Sequence, residues 1–228
     1  MVETNPSVYF SDGTYMPVGK IICLARTYRK HAEEIGDTVK KDPLLFLKPS
    51  STVIYDQGTI VIPKQSCDVH HEVELGIIIK KEGKNISAAH ADEHIAGYCL
   101  GLDITARDIQ KEAKEHGWPW TIAKGFDTFC PLSMAAPPNA VPNPHALGIV
   151  LAVNGEVRQR SSTSALSLTI EEIISYVSSL MTLKRGDIIL TGTPGGVGQI
   201  IAGDTIEARI GDVFSLTITV AKEECTFG

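Results

Sequence analysis

No apolar run in the chain approaches the length of a membrane span, and no block of lysine or arginine stands out. The first absence sets aside a helical membrane protein. The second, with a net charge of −6, sets aside nucleic acid as a main partner, because phosphate binding needs clustered cations. The opening residues, MVETNPSVYF, carry neither a basic-then-apolar signal nor an arginine-rich amphipathic pattern, so a cytoplasmic location is the default expectation. Paired CxxC cysteines are also missing. Cys23, Cys67, Cys99, Cys130 and Cys225 are odd in number and widely scattered, which favours free structural thiols over zinc or disulfides. Repeats, low-complexity stretches and long linkers are absent as well.

What is present is a chain of 228 residues with 43% apolar content, enough to bury a substantial core as one domain. Residues 1–18 read as an N-terminal extension forming a small hairpin, with Ser11-Asp12-Gly13-Thr14 as its turn. The main domain spans residues 19–228. Strand-like runs follow at Lys20–Ala25, Leu44–Leu47, Thr59–Ile62, Val73–Ile79 and Tyr98–Leu102. A polar segment from Thr27 to Gly36 fits a short helix, and a second helix is expected from Thr105 to Glu115, ending at Gly117. In the second half, Ile149–Val153 and Val157–Gln159 flank Asn154-Gly155, a strong hairpin signal. Thr169 and Glu172 make a capping-box pattern before Ile170, Ile173, Ile174, Val177 and Leu180-Met181, spaced as one helix face. Asp187–Leu190, Thr205–Ile210 and Phe214–Val220 complete the strands. Strands outnumber helices and do not alternate with them regularly, which predicts a strand-rich mixed α+β domain.

The most informative run is His71-Glu72-Val73-Glu74-Leu75-Gly76-Ile77-Ile78-Ile79. As a strand it puts Val73, Leu75, Ile77 and Ile79 on one side and Glu72 and Glu74 on the other. Neighbouring carboxylates repel unless a cation sits between them, and a hard divalent ion prefers such oxygen ligands. A solvated acidic edge would produce the same pattern. Asp103 adds a third carboxylate where the apolar run Gly97–Leu102 ends, ahead of the expected helix bearing Arg107 and Gln110. Lys124 likewise follows an apolar stretch, Thr121-Ile122-Ala123. The glycine-dense segment Thr191–Gly198 can aim backbone N–H groups at an anion. It lacks the Gly-Lys-Ser/Thr ending of a phosphate loop and matches no dinucleotide fingerprint.

Together His-His-Glu-Val-Glu-Leu-Gly, Leu-Asp-Ile-Thr-Ala-Arg-Asp-Ile-Gln, Trp-Thr-Ile-Ala-Lys and Thr-Gly-Thr-Pro-x-Gly-Val-Gly resemble the fumarylacetoacetate hydrolase superfamily. Within it the chain is similar to the compact acylpyruvate hydrolases, from about residue 18 onward. The resemblance implies a β-roll or sandwich with a few short helices as the catalytic domain, over residues 19–228. It also implies metal ligation by Glu72, Glu74 and Asp103, with Mg²⁺ or Mn²⁺ as cofactor. Arg107 and Gln110 would contact substrate, Thr193 its carboxylate, and Lys124 an enolate. His31 and Glu34, on a segment over the site, would activate water; the i, i+3 spacing places both on one helix face. A homodimer is implied as well. One departure is Thr27, where relatives usually carry Asn before the retained Tyr28.

The implied chemistry is cleavage of a C–C bond in a small 2-oxo acid, an acylpyruvate, whose carboxylate and oxo group suit an octahedral ion. Glu34 would orient His31 as general base, and expulsion of pyruvate as its enolate would be eased by the ion and Lys124. Oxaloacetate decarboxylation or tautomerisation passes through the same enolate and stands as the alternative. A non-catalytic 2-oxo-acid or metal-binding protein is the third possibility.

Overall fold

The computed structural model describes residues 6–28 and 43–224. The fold is strand-rich, with curled mixed sheets and short helices. Its largest sheet has seven strands in the order Leu44–Lys48, Ile21–Ala25, Ile188–Leu190, Val73–Ile79, Ile95–Leu102, Cys130–Leu132 and Val53–Tyr55. A five-stranded sheet runs Glu156–Ser162, Gly148–Val153, Thr205–Ile210, Phe214–Lys222 and Thr59–Ile62. Both mix antiparallel pairs with parallel ones, such as Ile188–Leu190 on Ile21–Ala25 and Phe214–Lys222 on Thr59–Ile62.

Side-chain alternation explains how the layers stack. Ile22 and Leu24 face a core shared with Ile149, Leu151, Ile206 and Ile218 of the five-stranded sheet, while Ile21 and Cys23 face the opposite way. That second face is covered by the N-terminal hairpin, Ser7–Tyr9 paired with Tyr15–Pro17, through Val8, Phe10 and Met16. A central strand covered on both faces must be apolar on both. Val73–Ile79 lies between two neighbouring strands with all seven of its residues buried, and Glu74 is its one polar member. It is therefore not the solvated acidic edge that Glu72 and Glu74 could equally have signalled.

Helix α1 spans Arg107–His116 and stops at Gly117, whose φ of 70° closes the helix in the left-handed conformation. A single turn, α2, covers Thr121–Lys124. Helix α3, Ile170–Leu180, starts on the expected capping box, with Thr169 and Glu172 each accepting from the other's backbone N–H. It buries Ile170, Ile173, Ile174 and Val177 in the shared core. The Asn154-Gly155 hairpin also forms, both residues having positive φ. From residue 29 on, the helix expected over Thr27–Gly36 lies outside the described residues, as do His31 and Glu34. Cys23, Cys99 and Cys130 are buried free thiols, whereas Cys67 is exposed.

A small three-stranded sheet, Thr105–Ala106, Val69–His71 and Gly198–Gln199, positions the functional residues. Glu72 follows its middle strand, Asp103 precedes one edge and the glycine-dense loop runs into the other. Three segments far apart in sequence are thereby gathered at the ends of the large-sheet strands.

Candidate active site

Glu72, Glu74 and Asp103 come together as the sequence predicts. One carboxylate oxygen from each lies within 4.8 Å of the others, and all three residues are buried. The Val73–Ile79 and Ile95–Leu102 strands set this spacing, because Glu74 is in register with Gly101 and the Asp103 N–H donates to Glu72 O at 2.8 Å. A Cβ at 101 would lie 2.7 Å from Leu190 Cδ2, so any larger residue there would displace the Leu190 side chain.

Lys124 is planted among these carboxylates by α2. Its Nζ donates to Asp103 Oδ2 at 2.5 Å, Thr105 Oγ1 at 2.6 Å and Glu72 Oε2 at 2.9 Å, and sits 4.7 Å from the Phe46 ring. Its side chain is 2% exposed. A lysine this deeply buried needs anionic partners, so it is not an ordinary surface lysine. Arg107 pairs with Glu72 Oε1 and donates through Nη1 to Gln110 Oε1 at 2.7 Å, which joins the expected substrate contacts to the carboxylate set.

The electrostatics divide the three acids. Burial would raise the Glu72 pKa, but the adjacent Lys124 and Arg107 charges win and hold it far below the usual carboxylate range. Glu74 goes the other way. Burial, then the Asp103 and Glu72 charges, push it well above its ordinary value, and Lys124 with the Gly192 N–H offsets only part. Burial alone would lower Lys124, yet Asp103 and Glu72 hold it above the usual lysine value. Among the described residues the hydrogen-bond donor to Glu74 is one backbone amide, Gly192 N–H at 2.7 Å. Three buried carboxylates, one of them short of positive charge, suit a divalent cation. The donor set is oxygen alone, which fits Mg²⁺ or Mn²⁺ and not a tetrahedral zinc site.

The glycine loop thus does present a backbone N–H to a carboxylate, but the carboxylate is the chain's own Glu74. Gly192 has a φ of 95°, and a Cβ there would lie 2.0 Å from Thr27 Oγ1. Thr27 itself is buried and donates to Thr191 O at 2.7 Å. The shorter residue at the unusual position 27 therefore ties the Ile21–Ala25 strand exit to the loop. Thr193 lines the cleft with its hydroxyl already engaged, donating to Val73 O at 2.9 Å and accepting from Gln159 Nε2 at 2.8 Å.

Two contributors escaped sequence reasoning. Lys48 ends the Leu44–Lys48 strand, one residue past the expected Leu44–Leu47 run. In the structure it is buried, with Nζ at 2.8 Å from Asp103 Oδ1, 2.9 Å from Ile104 O and 2.6 Å from Lys124 O. The apolar run before it and Pro49 after it were the available signal. Gln159, in the second strand of the hairpin, also reaches Pro194 O at 2.9 Å. Its Oε1 accepts from Val73 N–H and faces His71 Nδ1 at 2.9 Å. It clamps the glycine loop to the strand that carries Glu74, and nothing in its local sequence marks it.

The cleft above the carboxylates is walled by Leu24, Arg26, Phe46, Lys114 and Trp120, with Arg107, Gln110 and Thr193. No helix among the described residues is long and apolar enough to cross a membrane. Fold and site together define a strand-rich α+β enzyme scaffold around a buried, oxygen-only acidic triad and a lysine.

Residues 20–221 match the fumarylacetoacetate (FAA) hydrolase C-terminal family, and the chain belongs to that family. The mitochondrial oxaloacetate tautomerase of Mus musculus is 47% identical over 204 residues, covering 90% of this chain and 92% of that protein. The Homo sapiens oxaloacetate tautomerase is 45% identical over the same shares. Among solved structures, the fumarylpyruvate hydrolase of Pseudomonas aeruginosa in complex with Mn²⁺ and pyruvate superposes with a TM-score of 0.92. It is 34% identical and covers 98% of each chain.

Proposed function

We propose that this protein is a divalent-metal enzyme that interconverts the keto and enol forms of oxaloacetate. The carrying observation is the oxygen-only triad of Glu72, Glu74 and Asp103 with the buried Lys124 ammonium in direct contact with two of its members. Glu72, Glu74 and Asp103 would hold Mg²⁺ or Mn²⁺, which supplies Lewis-acid polarisation of a 2-oxo carbonyl. Tautomerisation passes a C3 proton to water, turns the C3–H electron pair into the C2–C3 double bond and shifts the carbonyl π pair onto the C2 oxygen, which then takes a proton from water. Lys124 contributes fixed positive charge beside that oxygen without reorganising, since three neighbours already orient it. Arg107 and Gln110 orient the substrate's carboxylate, and Phe46, Leu24 and Trp120 exclude water. The identity of 47% to an oxaloacetate tautomerase, against 34% to a fumarylpyruvate hydrolase, supports tautomerisation over hydrolysis.

Acylpyruvate hydrolysis is the second reading, favoured by the near-complete superposition on the fumarylpyruvate hydrolase. It additionally requires a base to activate water. No histidine lines the cleft among the described residues, so that role falls to His31 with Glu34, as the family resemblance implies. The deciding experiment measures keto–enol exchange of oxaloacetate beside hydrolysis of acetylpyruvate and fumarylpyruvate, with Mg²⁺ or Mn²⁺ supplied. A kcat/KM for exchange well above either hydrolysis supports the proposal. Faster hydrolysis makes the second reading the function.

A further inference from the structure

Lys114 lines this cleft but has no role in the triad or among the expected substrate contacts. It follows Arg107 and Gln110 at i+7 and i+4 on α1, so the three share one helix face. At a rise of about 1.5 Å per residue it stands about 10 Å further along the axis than Arg107. Helical side chains lean back toward the N-terminus, which turns Lys114 toward the cleft floor. Its Nζ lies 5.0 Å from the centre of the Trp120 ring. Among the described residues it has no hydrogen-bond or ion-pair partner. Its neighbours within electrostatic reach are mostly cations. Partial burial, then the Arg107 and Arg26 charges, draw its pKa below the usual lysine value, with Glu72 pulling weakly the other way. The cleft therefore has an acidic floor suited to a metal ion and, at its outer end, a crowd of positive charge beside an aromatic wall.

We propose that Lys114 binds the second carboxylate of a dicarboxylic 2-oxo acid and so selects diacids over monoacids of equal length. This rests on the reading of the floor as the place where the 2-oxo-acid end binds. A carboxylate at the outer end would give Lys114 the anionic partner that it lacks among the described residues. Trp120 and Phe46, whose rings pack on each other with centres 5.6 Å apart, would form one wall beside the carbon chain between the two ends. A monoacid would leave the cationic end unmatched.

The test uses two four-carbon ligands that differ at one end, oxaloacetate and 2-oxobutanoate, titrated calorimetrically into full-length enzyme with Mg²⁺. Wild type should bind oxaloacetate about 10- to 100-fold more tightly, the range expected of one hydrogen bond to a charged group. In Lys114→Met the ratio of the two dissociation constants should fall to within a few-fold of unity, and in Lys114→Arg it should largely persist. The ratio within one preparation cancels differences in folding and metal loading. A wild type that binds neither ligand overturns the reading of the floor itself. A wild type that binds both without preference, or a Lys114→Met variant that keeps the preference, overturns the role of Lys114 alone.

Discussion

Replacing Lys48 by methionine tests whether the buried charges of this site are mutually dependent. The Lys48 side chain is 0% exposed and the Asp103 side chain 1%. Methionine fills most of the volume but removes the ammonium from Asp103 Oδ1 and from the carbonyls of Ile104 and Lys124. Breaking a buried ion pair by deleting one partner costs about 3–5 kcal/mol, because the remaining charge stays desolvated. The two carbonyls lose a donor as well, but contributions this close together do not add. For a chain of this size, about 2–4 °C of Tm accompanies each kcal/mol. Lys48→Met should therefore melt about 10 °C below wild type in EDTA, followed by circular dichroism. Mg²⁺ should recover part of the loss, since a divalent ion at the triad would again neutralise Asp103. The double variant with Asp103→Asn should be less destabilised than the sum of the two single variants. A Tm within about 2 °C of wild type, or strictly additive losses, would refute the dependence.

Gly192→Ala places a methyl group against Thr27 Oγ1 at a left-handed φ. We expect a stability loss of about 1–3 kcal/mol and weakened metal binding, because the Gly192 N–H to Glu74 contact moves; denaturant melts and metal titration check both. Lys124→Met should lower the rate of tautomerisation about 10²- to 10³-fold, read from the decay of enol absorbance at saturating Mg²⁺; a loss under a few-fold would return Lys124 to a structural role. His31→Ala should depress acylpyruvate hydrolysis about 10²- to 10⁴-fold. Assaying oxaloacetate decarboxylation in the same preparation shows whether His31 is the base, because a group that only holds substrate would depress both reactions equally.

The three clustered carboxylates were legible in the sequence because a polar residue in an apolar strand is costly unless something compensates it. Glu74 inside Val73–Ile79 and Asp103 at the end of Gly97–Leu102 both carry that signature. Local signals were equally reliable: the Thr169–Glu172 capping box, the Asn154-Gly155 turn and the Gly117 helix stop all form where expected. What could not be read depends on contacts between distant segments. The strand order that sets Ile188–Leu190 between Ile21–Ala25 and Val73–Ile79 has no local signature. The four residues of α2 are too few to show helical periodicity, yet they aim Lys124. Lys48 and Gln159 look like a strand terminus and a hairpin residue, and only tertiary packing buries them. Even the glycine loop, expected to aim backbone N–H groups at an anion, presents one to Glu74 of its own chain.

The central claim is that Glu72, Glu74 and Asp103 hold one divalent ion. Mn²⁺ titration followed by electron paramagnetic resonance measures this without reliance on turnover, since bound Mn²⁺ loses the sharp signal of the free ion. Wild type should bind one Mn²⁺ per chain, Mg²⁺ should compete for the same site, and Glu74→Gln should bind at least tenfold more weakly. Absence of binding in wild type, or equal binding by wild type and Glu74→Gln, would contradict the account.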